Sequence, residues 1–114
     1  MIVFQSDDVH PQVMSADVPA GGYLLDVRED DEWAAGHAPE AVHVRLGELN
    51  ERSEEIPRDR DVYVICRSGA RSAYATQALA GAGWQAINVA DGMTGWAVVG
   101  RPMVSESGGE PFVA

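Results

Sequence analysis

The sequence predicts a single α/β domain built on a mainly parallel sheet covered on both faces. Three observations predict it. Val62 to Ile65 is an apolar run with no polar alternation, as in a strand buried on both faces. Tyr23 to Val27 and Trp84 to Val89 are two more strand-like runs, and helical stretches lie between the runs. The central run stops at Cys66, the one cysteine in 114 residues, and a loop with a glycine and two arginines follows. Sheets of this class bind ligands beyond the carboxyl ends of their strands, and Asp26 and Cys66 both fall at such ends.

Taken in order, residues 1–11 read as an irregular lead-in broken by His10-Pro11. Gln12 to Met14 suits a short strand, and Ser15 suits the cap of a brief helical turn that Pro19 and Gly21-Gly22 end. After the Tyr23 run, the acidic stretch Glu29 to Glu32 suits a helix amino end and Gly36 its carboxyl end. Ala38-Pro39-Glu40 is a turn and Ala41 to Val44 a short strand. Leu46 to Glu55 reads as a surface helix, and Ile56 to Arg60 as a charged connection. Beyond Cys66, Ser72 is placed to cap a helix with Ala75, Ala78, Leu79 and Ala82 on one face. Ala90 to Gly95 reads as a turn before a short amphipathic stretch, and 101–114 as a tail with a flexible part. The domain proper is thus expected over 12–100.

Composition narrows the function. The net charge is −10, with eight arginines and no lysine, which argues against binding nucleic acid or an anionic membrane. No apolar run reaches membrane-spanning length, and the amino end has neither a basic region nor a long apolar stretch. One cysteine leaves no internal disulfide and no multi-cysteine metal site. A soluble monomer in a reducing cytoplasm, without metal or cofactor, is the expectation.

A free cysteine is ordinarily a small buried hydrophobe. The residues after Cys66 argue otherwise. Arg67, Ser68, Gly69, Ala70, Arg71 and Ser72 make a poor core element and a good anion cradle: glycine allows tight curvature, successive amides converge, and arginine adds charge. A thiolate at the bottom of such a cradle, facing a helix amino end, is stabilised and nucleophilic.

These motifs resemble the rhodanese (thiosulfate sulfurtransferase) homology family. Cys66 to Ser72 resembles its active-site loop. Leu24 to Glu29, with Glu32, Trp33 and Gly36 to Ala41, resembles its first signature. Asn88 to Trp96 resembles the Gly-rich segment ending in tryptophan. The order is right across nearly the whole chain. Glu40, Arg45 and Asp91 depart from the family's usual glycine, proline and glycine. The resemblance implies a three-layer α/β/α fold around about five mainly parallel strands. It also implies that Cys66 takes a sulfane sulfur from thiosulfate or a similar donor as a persulfide. Cyanide, a small thiol or a protein thiol then accepts it. Arg67 to Ser72 would bind the anion, with Asp26, Arg28, Glu32 and His37 as structural support. A sulfur-carrier or regulatory module working with a partner protein is the alternative. The span from Cys66 to Arg71 is six residues. Related phosphatases and arsenate reductases use a loop one residue longer, so oxyanion hydrolysis ranks below both.

His37 lies in a glycine–proline turn and suits a bracing hydrogen bond, since an ionised thiol needs no base. His43 is expected to face a strand neighbour, and Trp33, Trp84 and Trp96 to pack in the core or against helices.

Overall fold

The computed structural model describes residues 11–114. His10 and the lead-in before Pro11 lie outside those residues. Among the described residues five strands, β1 (Gln12–Val13), β2 (Tyr23–Asp26), β3 (Val42–His43), β4 (Asp61–Ile65) and β5 (Gln85–Val89), form one sheet. Their order is β1-β5-β4-β2-β3 and every pairing is parallel. The helices are α1 (Asp30–Ala35), α2 (Leu49–Arg52), α3 (Ala70–Gly81) and α4 (Gly92–Val98). The central strand is β4, as its unbroken apolar run predicts.

Neighbouring strand residues point to opposite faces. Leu25 and Val64 therefore meet Leu49, Ala75 and Leu79 on the face covered by α2 and α3. Leu24 and Ile65 meet Met93 and Trp96 of α4 on the other. Two apolar layers hold β4 rigid on both sides, and Cys66 belongs to the first of them.

Several local expectations are corrected. Ser72 does not cap α3; Gly69 is the cap residue, at φ 101°, and Ser72 lies inside the first turn. The stretch 46–55 is not one helix but α2 between two 3₁₀ turns, Leu46–Glu48 and Ser53–Glu55. Ser15 sits within the 3₁₀ turn Ser15–Asp17 rather than capping it. Its amide and hydroxyl both donate to the Asp91 carboxylate at 2.7 Å. That pairing gives Asp91, one of the departures from the family pattern, a bracing role. The supposed turn at 90–95 already contains the start of α4.

Gly36 does follow α1, but its φ of 176° is ordinary extended backbone. Its smallness is needed because a Cβ there would come within 2.5 Å of the Phe112 carbonyl. The segment after Arg101 runs across the end of α1. Glu106 N donates to the Ala34 carbonyl, Phe112 N to that of Ala35, and His37 and Val104 exchange backbone hydrogen bonds at 2.9 Å. These amides satisfy carbonyls that a helix end leaves open. Among the described residues, no helix is long and apolar enough to cross a membrane.

Candidate active site

The site forms where β4 ends and α3 begins. Cys66 is 1% exposed, with its sulfur under the turn that starts α3. Gly69 N donates to Cys66 Sγ at 3.1 Å and Ser72 N at 3.3 Å, and Ser72 Oγ lies 3.3 Å away. The converging amides depend on the left-handed backbone of Gly69. A side chain at Gly69 would also collide with the Ala90 carbonyl. From the other side, the first turn of α4 grips the loop backbone: Met93 N donates to the Cys66 carbonyl at 2.8 Å and Thr94 N to that of Arg67 at 3.0 Å. Gly92, at φ 59°, permits this approach, since a Cβ would stand 2.5 Å from the Arg67 oxygen.

Burial pushes the Cys66 thiol up. The Ser72 hydroxyl and the amides of Ser72, Gly69 and Ser68 outweigh that effect, and the thiol titrates below the ordinary cysteine range. Removing the hydroxyl takes away a donor to the thiolate. In Ser72→Ala the inflection of the pH–rate profile for iodoacetamide alkylation is therefore expected to move up by about one pH unit. An unmoved inflection would show that the hydroxyl plays no part in holding the charge.

The arginines divide sharply. Arg71 makes a two-pronged ion pair with Glu32, Nη1 to Oε1 at 2.6 Å and Nη2 to Oε2 at 2.8 Å. Hydrogen bonding from Arg71 lowers the Glu32 carboxyl to about 2. The same pairing raises Arg71 further above its usual range. Arg28 is fully buried against Asp26, with Nη2 to Oδ2 at 2.8 Å, and its guanidinium also donates to the Glu32 and Gly36 carbonyls. Arg67 and Ser68 are exposed at the mouth, as is Ala70. Among the described residues the Arg67 side chain makes no ion pair.

His37 braces its turn through Nδ1 and the Trp33 carbonyl at 2.8 Å. Trp33 is stacked between His37 and His43, with centroids 3.5 and 4.7 Å apart. The resemblance already included Asn88, but the linear order gives no hint of its position here: Nδ2 reaches the Gly69 carbonyl at 3.5 Å, and Oδ1 is buried without a partner. Among the described residues, no group of three or more His, Cys, Asp and Glu side chains is placed to hold a metal. A cavity of about 340 Å³ lies between the 18–22 segment and Trp96, and no residue of the Cys66 loop lines it.

The family model described as a rhodanese-like domain matches residues 10–98. The chain is 45% identical over 74 residues to YtwF of Bacillus subtilis, provisionally named a sulfurtransferase, covering 65% of this chain and 72% of that one. It is 40% identical over 74 residues to YrkF of the same organism, provisionally named a sulfur carrier protein. That match covers 64% of this chain and only 40% of YrkF. Among solved structures, a rhodanese-related protein from Thermoplasma volcanium superposes with a TM-score of 0.78 at 31% identity, covering 83% of this chain and 98% of that one.

Proposed function

This chain belongs to the rhodanese-like domain family, and from that membership we propose that it is a sulfurtransferase working through a Cys66 persulfide. The observation that carries the reading is the set of donors converging on Cys66 Sγ from Gly69 and Ser72. They favour a thiolate without any general base. That thiolate attacks the outer sulfur of thiosulfate or a similar sulfane donor. The S–S bond of the donor breaks, its electron pair leaves with sulfite, and the sulfur stays on Cys66 as a persulfide anion. The same amides that held the thiolate lie beside the persulfide charge. A thiophilic acceptor, such as cyanide, a small thiol or a protein thiol, then takes the terminal sulfur and returns Cys66 to the thiolate. With one cysteine in the sequence, the acceptor comes from outside these 114 residues.

The similarity to YrkF favours a second reading, in which the domain carries sulfur for a partner protein. One experiment separates the two. The protein is treated with thiosulfate, the Cys66 peptide is weighed, and cyanide is then added. A gain of one sulfur atom on Cys66 followed by thiocyanate release supports the transferase. A stable persulfide that cyanide does not discharge supports the carrier. No gain with any sulfane donor rejects both.

A further inference from the structure

Four arginines follow the carboxyl ends of the three adjacent strands β2, β3 and β4: Arg28, Arg45, Arg67 and Arg71. An edge so furnished looks built for a multiply charged anion. Yet three of the four are bound to carboxylates. Arg28 holds Asp26, Arg71 holds Glu32, and Arg45 lies within 4.0 Å of Glu29, Asp30 and Glu48. Five carboxylates thus stand against four guanidiniums, and the chain as a whole carries −10. Arg71 is the decisive case. It is adjacent in sequence to Ser72, whose amide and hydroxyl both touch Cys66 Sγ, so its charge is the nearest to the reacting sulfur on α3. Both of its terminal nitrogens are taken by Glu32. Glu32 is itself fixed, because Oε1 also accepts the Glu29 amide in the capping box of α1, and its side chain is only 15% exposed.

We propose that Glu32 sets donor preference: by neutralising Arg71 it biases the Cys66 cradle toward singly charged sulfane donors and against dianions such as thiosulfate. The inference rests on the sulfurtransferase reading and concerns its donor half-reaction. Two donors test it, alike in the transferred sulfur and differing by one charge. Thiosulfate, a dianion, gives the Cys66 persulfide and sulfite. Methanethiosulfonate, a monoanion, gives the same persulfide and methanesulfinate. Each step forms one S–S bond, breaks one, and leaves total charge unchanged.

Rates of persulfide formation are measured for both donors with the wild type and with Glu32→Gln, which keeps the side-chain shape and an acceptor for the Glu29 amide. The thiosulfate-to-methanethiosulfonate ratio is expected to rise about fivefold in the variant, because the removed charge acts twice as strongly on the dianion. A role confined to holding the fold would slow both donors together. The wild type supplies a second measurement that needs no variant: raising sodium chloride screens the negative mouth, so the same ratio is expected to rise with salt. A ratio that stays level or falls in Glu32→Gln, or that falls with salt in the wild type, overturns the inference while leaving the sulfurtransferase reading intact. Failure of both donors to form a persulfide on the wild type overturns the sulfurtransferase reading and the inference with it.

Discussion

Arg28→Met is expected to lower the free energy of unfolding by about 3–5 kcal/mol, because it strips the partner from a buried carboxylate. Both Asp26 and Arg28 are fully buried. The Arg28 Nε and Nη2 atoms reach the two Asp26 oxygens at 2.8–3.1 Å, and the Arg28 amide adds a bond to Oδ1. The methionine stem fills the arginine's apolar volume but leaves Asp26 with only the backbone amide. It also orphans the Gly36 carbonyl, which Nη2 holds at 2.8 Å. Urea unfolding measures the loss. The double variant Asp26→Leu/Arg28→Met is expected to be less destabilised than Arg28→Met alone, since removing both charges is milder than exposing one of them to an apolar interior. A single variant within about 1 kcal/mol of the wild type would mean that Asp26 finds water or another donor at the strand end.

The elements that patterning revealed are those whose environment is uniform along their length. Val62 to Ile65 meets apolar layers on both faces, and the run of apolar residues reports that directly. Cys66 stands out as a candidate for a related reason: the apolar run ends there and gives way to a polar, glycine-bearing loop. What stayed hidden depends on contacts between distant segments. Glu32 and Arg71 are 39 positions apart, and no spacing rule joins them. The same holds for Asp91 with Ser15, and for Phe112 with Gly36. The start of α4 at Gly92 was obscured because glycine weakens local helix propensity, while its packing on the Cys66 and Arg67 carbonyls selects the helix. Ser72 is a cap-forming residue type that does not cap α3, because its side chain serves the sulfur instead of the helix amides.

Cys66→Ser is expected to abolish persulfide formation and to cut sulfur transfer by at least on the order of a thousandfold, while leaving the fold intact. The hydroxyl is close in size to the thiol, so the donors around Sγ and the α2–α3 layer need little adjustment, and thermal melting should stay near the wild-type value. The chemistry fails for two reasons. A serine oxygen cannot hold sulfur as a persulfide, and it must lose a proton before it attacks. The groups that meet Cys66 Sγ are the Ser72 hydroxyl and the amides of Ser72, Gly69 and Ser68, none of which is a base. His37 and His43 bond to the Trp33 and Arg28 carbonyls instead. Cysteine escapes the second difficulty because its folded-state titration is depressed. Persulfide formation in the wild type should therefore rise with pH only up to a point below the ordinary thiol range and then level off. Transfer by Cys66→Ser near the wild-type rate, with the protein folded, would place the reaction elsewhere on the molecule.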